Sequence, residues 1–402
     1  MPEPRASHFA RDVVVVGGCG HVGLPLAIAL ASRGARVASY DISAAAVAAV
    51  NSGLLPFTEQ GAQLPLAGAV AAGRMVASTN PAIVGCAEHV IVVIPGPAEE
   101  PPGLGSQSIA EALGSCSRYF RDGQILILRS TLSPGATAAA EKMATELGID
   151  MDVAYCPERI ARGRAMTELP ELPQIVSSRT PRGLERASAL FRLLTPGIVA
   201  MSPEEAELAK LFGNVWRYIQ FAVANQLFMI ANDRGLDFER IRQGLVHDYP
   251  RAAGLPHAGL TAGPALLKDT IGLAETDAGF TIGQAAVGVN EGLPRYLIQR
   301  LEQRYELGSL TVGILGMAYK GGSDDSRASL AYRLKRILTD KARRVLCTDP
   351  LVSDDPELLP LEEVLAAADL LVIAAPHQEY SELATDRPVA DIWNIRGNGV
   401  LV

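Results

Sequence analysis

No stretch of this 402-residue chain approaches the eighteen or so consecutive apolar residues of a membrane span. The opening MPEPRASHFARD also lacks the apolar run of a signal peptide, so a cytoplasmic protein with no membrane partner is expected. Basic charge is not in excess either. The 36 lysines and arginines face 44 aspartates and glutamates, a net charge of -8, and they are scattered rather than striped, which argues against nucleic acid as a partner. Room remains for a small anionic ligand bound by local arginines and lysines. Cysteine is scarce: Cys19, Cys86, Cys116, Cys156 and Cys347 are odd in number and contain no Cys-x-x-Cys pair, so neither a disulfide framework nor a zinc site is indicated, and no metal is expected. Internal repeats and low-complexity segments are missing as well.

What the chain does have is α/β alternation. Val13 to Val16 reads as a buried parallel strand, followed at once by Gly18-Cys19-Gly20-His21-Val22-Gly23 and then by the helical pattern LPLAIALASRG. A second strand, 36–40, ends in Asp41, at the spacing expected of a ribose-binding carboxylate. The glycines let the backbone approach a pyrophosphate at a helix N-terminus. Asp41 can accept from a ribose 2'-hydroxyl and would repel a 2'-phosphate, so NAD is favoured over NADP. Further strands are expected at 89–95, 124–131, 151–156 and 197–202, with helices between them. The breaks at Gly96 to Gly103 and at Ser133-Pro134-Gly135 fall at strand C-termini, where such sheets bind ligands.

Ser202 to Gly235 reads as one long helix of roughly 50 Å. Ser202 is its N-cap, Pro203 its first residue, Glu205 the partner in a capping box, and Gly235 the left-handed stop. Leu208, Leu211, Phe212, Val215, Ile219 and Ala222 form an apolar stripe, and Lys210, Asn214 and Arg217 share the opposite face. With Trp216, Tyr218 and Phe221 beside that face, the helix looks covered on most sides. Lys210 and Asn214 either point into protein or a cleft, or belong to an ordinary solvated face. A polar loop from Tyr249 to Thr270 and a helix over about 283–304 complete a helical middle region. From Ser309 the alternation restarts, with strands at 311–317, 344–349, 370–376 and 391–397 and helices from about Ala328 and near Leu361. This half has Gly313 and Gly316 but no full dinucleotide fingerprint. The expected architecture is α/β: two Rossmann-like doubly wound domains, 1–201 and 307–402, joined by a helical region with a long central helix, 202–306.

These motifs resemble the UDP-glucose/GDP-mannose dehydrogenase family over nearly the whole chain. Its glycine fingerprint matches 18–23 and its Ser-Thr-x-x-Pro-Gly matches Ser130 to Gly135. Its Cys-Pro-Glu-Arg matches Cys156 to Arg159, and its Glu-Leu-x-Lys-x-x-x-Asn matches Glu207 to Asn214. Its Leu-Gly-x-Ala-Phe-Lys matches Leu315 to Lys320, with Tyr319 for Phe; its Asp-Asp-x-Arg matches Asp324 to Arg327; and Thr348-Asp349-Pro350 stands for Tyr-Asp-Pro. The resemblance implies oxidation of the C6 alcohol of a nucleotide sugar, in two NAD-dependent steps, through an aldehyde held on a cysteine and a thioester cleaved by water. By the same resemblance Lys210 stabilises the oxyanion, Asn214 and Asp269 place the water or base, and Thr131 and Glu158 join them, Glu158 as the group that activates water. Pro95, Thr131, Lys268 and Arg327 fall on the cofactor side with Gly18, Gly20, His21, Val22, Gly23 and Asp41. Arg251 and Lys320 fall on the substrate side with Glu158, Lys210 and Asn214. A hydride leaves carbon only as the hydroxyl loses a proton, which calls for a base and a fixed positive charge at the oxygen. Family members dimerise through the middle helices, so a homodimer binding a UDP-sugar is implied.

One departure sets this chain apart. The family's Gly-Gly-His-Cys reads here Ala262-Gly263-Pro264-Ala265, and no cysteine lies between Cys156 and Cys347. The family's Val-Pro-Thr-Pro reads Ile94-Pro95-Gly96-Pro97. An alanine methyl cannot form a thiohemiacetal. The expected activity is therefore alcohol oxidation that stops at the two-electron carbonyl product. The alternatives are a four-electron dehydrogenase that makes a uronate without covalent capture, and a silent nucleotide-sugar-binding protein.

Overall fold

A computed structural model describes residues 9–94, 106–161, 163–260, 263–400 and 402, in two compact units, 1–212 and 213–402. Pro95 and the Gly96 to Gly103 loop lie outside the described residues. The first unit is organised by eight strands: β1 (Arg11–Val16), β2 (Val37–Tyr40), β3 (Met75–Ser78), β4 (Ala87–Val92), β5 (Ile125–Leu128), β6 (Asp152–Tyr155), β7 (Gln174–Ser178) and β8 (Ile198–Met201). They pair in the order β3-β2-β1-β4-β5-β6-β7-β8, parallel throughout except for β6 with β7. The order reverses between β1 and β4, where a doubly wound sheet opens a crevice beyond its strand ends.

Alternation along β1 shows why both faces are covered. Val13 and Val15 pack with α1 (Gly23–Ser32), α3 (Gln63–Ala71), α6 (Ala165–Glu171) and α7 (Pro181–Phe191), the short α2 (Ala44–Asn51) sitting at the edge of the same core. Val14 and Val16 pack with α4 (Ser106–Cys116) and α5 (Ala136–Glu146) on the other face. Strands β3 and β7 are not among the strands expected from the sequence. MVAS and QIVSS are short and carry serine, so they give little periodicity.

Helix α8 (Pro203–Asn232) runs from the first unit into the second. Its capping box forms as expected: Ser202 N donates to Glu205 Oε2 at 2.8 Å and Glu205 N donates to Ser202 Oγ at 3.3 Å. Gly235, at φ 67°, closes the other end, with Leu236 N donating to the Ala231 carbonyl. Its faces differ from the expected pattern. Phe212, placed in the buried stripe by the sequence, is 51% exposed, and Trp216, Val223, Leu227 and Ile230 are exposed beside it. Asn214, Asn225 and Asn232 are buried instead. Their spacings of eleven and seven residues put all three amides on one face.

In the second unit α8 continues to α9 (Phe238–Val246), α10 (Pro264–Thr276) and α11 (Thr281–Glu302). Helix α9 is absent from the sequence reading, and α10 begins inside the segment expected to be loop. Gly263, with φ 125°, breaks the chain and Pro264 starts the helix. Strands β9 (Thr311–Leu315), β10 (Arg344–Thr348), β11 (Leu370–Ile373) and β12 (Val389–Ala390) then form an all-parallel sheet in the order β10-β9-β11-β12, with α12 (Leu330–Thr339) and α13 (Leu361–Ala367). The last strand is not 391–397. The Asp391 carboxylate accepts from Trp393 N and Arg396 N, and Asn394 takes φ 54°, so that segment turns. Among the described residues no helix is long and apolar enough to cross a membrane.

One buried ion pair ties the ends of β5, β6 and β7 together. Arg129, wholly buried, donates through Nε and Nη2 to Glu158 Oε2 at 2.8 and 2.5 Å, through Nη1 to the Cys156 carbonyl at 3.1 Å, and through Nη2 to Gln174 Oε1 at 3.0 Å. Glu158 Oε1 accepts from Arg159 N and Ile160 N at 2.7 and 2.9 Å. Removing one partner strands a buried charge. Arg129→Met should therefore cost about 3–5 kcal/mol, seen in urea denaturation as an earlier transition of the first unit. An unchanged midpoint would show that the pair is not structural.

Candidate active site

The turn after β1 separates the three fingerprint glycines by what each has room for. A Cβ on Gly18 would stand 2.5 Å from the Val15 carbonyl oxygen and 2.7 Å from Ser39. One on Gly23 would strike the Gly17 backbone. Gly18 and Gly23 thus serve the tight turn and the close packing of α1. Gly20 has no neighbour nearer than 3.6 Å, the open backbone approach that a pyrophosphate requires. Asp41, at the end of β2, holds this turn: its Oδ2 accepts from Cys19 N and its Oδ1 from Ser43 N, both at 3.0 Å. It is half-buried. His21 lies over Phe57 with ring centroids 4.0 Å apart, and Val22 leads into α1. The residues present fit a dinucleotide.

Two cysteines of this unit lie within motifs, Cys19 and Cys156, and both are buried. Burial, with the Asp41 charge adding to it, pushes the Cys19 thiol up to about 12, and burial pushes Cys156 up to about 12. Thr131 lies three residues past the end of β5 and is half-buried. Ser130 Oγ beside it accepts from Ile94 N at 2.8 Å, joining the loops after β4 and β5. Glu158 is held as described: each carboxylate oxygen accepts two hydrogen bonds, which anchors the 156–160 turn. Arg129, its partner, is not among the residues singled out by sequence. An arginine closing an apolar strand was the available signal.

Lys210 is positioned by its neighbour one turn earlier. Glu207, 1% exposed, accepts from Gly135 N at 2.7 Å and from Thr137 N and Oγ1 at 2.8 and 2.6 Å, so a carboxylate of α8 caps the N-terminus of α5. That pins this stretch of α8 against the loop that follows Thr131. Asn214, a turn beyond Lys210, donates from Nδ2 to Asp269 Oδ2 at 2.6 Å, and both side chains are buried. The open question about that face is answered for Asn214, which points into protein, whereas Arg217 is exposed.

In the second unit, Ala265 occupies the first turn of α10 with its methyl exposed, and Asp269 follows one turn later on the same face. Lys268 is half-buried beside it. The Tyr319 ring covers Gly263, where a Cβ would come within 3.0 Å of it, and Lys320 Nζ lies 5.8 Å from the same ring. Arg327 is paired with Asp325 through two bonds of 2.8 and 2.7 Å. Arg251 is exposed and lies over the Tyr249 ring at 5.1 Å. Asp349, after β10, repeats the device of Asp41: Oδ2 accepts from Met317 N and Ala318 N, and Oδ1 from Leu351 N and Val352 N. Here the carboxylate is sealed. Burial opposes its ionisation, yet the bond from His377 Nε2 and the backbone N–H groups hold it down at about 2. Among the described residues no group of three histidine, cysteine, aspartate or glutamate side chains is placed to hold a metal ion.

Comparison with known proteins agrees with this geometry. The NAD binding domain of the UDP-glucose/GDP-mannose dehydrogenase family matches residues 12–195, its central domain matches 204–291 and its UDP binding domain matches 313–397. The chain is 28% identical to a UDP-N-acetyl-D-mannosamine dehydrogenase of Methanocaldococcus jannaschii, over 98% of this chain and 91% of that one. It is 28% identical to an NDP-N-acetyl-D-galactosaminuronic acid dehydrogenase of Ralstonia solanacearum, over 95% of each. Among solved structures, a UDP-N-acetylmannosamine dehydrogenase from Pyrococcus horikoshii superposes with a TM-score of 0.85 at 27% identity, covering 96% of each chain. A UDP-glucose dehydrogenase from Pyrobaculum islandicum gives 0.88 at 25% identity, covering 98% of this chain and 97% of that one. With its three domains matched in order and its glycine turn shaped for a dinucleotide, this chain belongs to the UDP-glucose/GDP-mannose dehydrogenase family and is an NAD-dependent nucleotide-sugar dehydrogenase.

Proposed function

We propose that the protein oxidises the C6 alcohol of a UDP-hexose and releases the carbonyl after one hydride transfer. The observation that carries this reading is Ala265: at the position of the family's nucleophile an exposed methyl stands one turn from Asp269. Bound NAD accepts the hydride. Lys210 supplies the fixed positive charge against which the hydroxyl oxygen loses its proton, and Asp269, held by Asn214, takes that proton directly or through water. Lys320 and Arg251 serve the sugar nucleotide, and Lys268 and Arg327 the cofactor side. The balance is one alcohol and one NAD to one carbonyl, one NADH and one proton. Without a thiohemiacetal, the carbon that must release a second hydride is not fixed, and fixing it is worth several kcal/mol. The three-part division 1–201, 202–306 and 307–402 assigns these roles to a cofactor domain, a connecting region and a nucleotide-sugar domain.

A second reading is favoured by the relatives, one of which is named for a uronic acid. It is a four-electron oxidation to the uronate through the hydrated aldehyde.

The exposed stripe of α8 supports a homodimer. Phe212, Trp216, Val223, Leu227 and Ile230 are too many large apolar side chains on one helix face for a monomer surface. Beside them runs a groove of about 320 Å³ in which Ala285, Gly288, Val289 and Gly292 alternate with the longer side chains of Gln226, Met229, Arg295, Tyr296 and Gln299.

Three outcomes are expected. Sedimentation at micromolar concentration should give twice the 42.5 kDa chain mass, and Trp216→Glu should return the monomer; a monomeric unmodified protein removes the dimer. NAD should bind far better than NADP, and Asp41→Ala should erode that preference by roughly 1.5–3 kcal/mol; isothermal titration showing equal binding by the unmodified protein contradicts it. Incubation with UDP-hexoses should yield one NADH per sugar and a stoichiometric aldehyde trapped by a hydrazine. Two NADH with uronate would establish the second reading, and Pro264→His with Ala265→Cys should move the enzyme towards that stoichiometry.

A further inference from the structure

Asn225 lies on α8 eleven residues after Asn214, three turns along the same face. It is 1% exposed. Its Nδ2 donates to Asn290 Oδ1 on α11 at 2.9 Å, and its Oδ1 accepts from Gly259 N at 2.9 Å. Asn290, wholly buried, donates from Nδ2 to the Tyr218 carbonyl at 3.1 Å. The order of these bonds fixes both amides. A carbonyl only accepts, so Asn290 turns its nitrogen to Tyr218 and its oxygen to Asn225, which then turns its own oxygen to Gly259.

Gly259 is held from its other side as well. A Cβ there would collide with the Trp393 indole, which is itself tied by Nε1 to the Ala374 carbonyl at 3.1 Å. Ala258 and Leu260 are each 2% exposed, packed in the core of this unit. The backbone at 259 therefore has one place to be. Ten residues later, Asp269 is gripped by Asn214. One face of α8 thus holds both ends of the stretch that presents Ala265, Lys268 and Asp269.

We propose that Asn225 is a positioning residue for the dehydrogenase reaction: through the Gly259 amide, with its own amide oriented by Asn290, it sets where α10 delivers Lys268 and Asp269. A buried amide that only satisfied helix packing would bond to its neighbouring helices alone; this one spends its oxygen on the segment leading to the reacting groups. The kinetic side of the inference rests on the proposed oxidation, and the structural side does not.

The test compares Asn225→Leu, which keeps the branched shape and loses both bonds, with Asn225→Asp, whose carboxyl, held neutral by burial, has an oxygen for the Gly259 amide and an O–H for Asn290 Oδ1. Steady-state kinetics with a UDP-hexose, NAD titration and hydrogen exchange read by mass spectrometry are measured on the full chain. With leucine, kcat should fall about 100-fold with little change in KM, the loss a displacement of about 1 Å produces. NAD affinity should be unchanged, and exchange should accelerate in peptides covering 258–270 while α11 stays protected. Aspartate should recover most of the lost kcat. Wild-type kcat in the leucine variant, a loss that aspartate does not recover, or exchange rising evenly across the second unit would each overturn the proposal. Should leucine prevent folding, Asn290→Ala removes the orienting partner, together with its bond to the Tyr218 carbonyl, and leaves Asn225 in place; unchanged exchange over 258–270 in that variant overturns the proposal. If the unmodified protein oxidises no sugar, the proposed function fails by itself, and selective exchange over 258–270 still decides for or against the positioning.

Discussion

An amide taken out of water has to be given a partner for its oxygen and for its nitrogen, and α8 buries three of them on one face. Each solves the problem with a different part of the second unit. Asn214 takes Asp269, Asn225 takes Asn290 and Gly259, and Asn232 takes the Tyr296 hydroxyl at 3.0 Å and the Val402 amide at 3.0 Å. Hydrophobic contact would let these segments slide; directional bonds with fixed donors and acceptors do not. The register of α10, α11 and the last residues against the central helix follows from this ladder, and so does the position of Asp269.

Carboxylates do comparable work around the sheets. Glu207 caps α5, and Asp41 and Asp349 each close the turn after the first strand of their own sheet. The last two differ in how many partners they hold. Asp41 accepts from Cys19 N and Ser43 N, while Asp349 accepts from four backbone N–H groups and from His377 Nε2.

Much of this was legible in the residues because the signals were local. The strand, glycine turn and helix at 13–32, the capping box at Ser202 and the stop at Gly235 each depend on a few adjacent side chains, and all stand as read. What escaped were features decided at long range. Nothing near Asn225 or Asn232 says that these amides are buried, since only packing against α11 and 257–260 makes them so, although their spacing from Asn214 was visible. Phe212 and Trp216 were misjudged for the converse reason: aromatic character suggests burial, and a single chain leaves them uncovered. Glu158 was read from its motif as a group that works on water, and only the fold reveals Arg129 behind it.

The reversal of β7 bears on that arginine. Because β7 runs against β6, pairing Ser177 with Tyr155 and Ser178 with Ala154, its first residue lies past the end of β6 rather than at the far rim of the sheet. Gln174 can thereby reach Arg129 with its side-chain amide from a strand start, where a parallel neighbour would have offered only the loop leaving its last residue. One change of strand polarity gives the ligand-facing rim a rigid polar group where uniform winding would have supplied a flexible one.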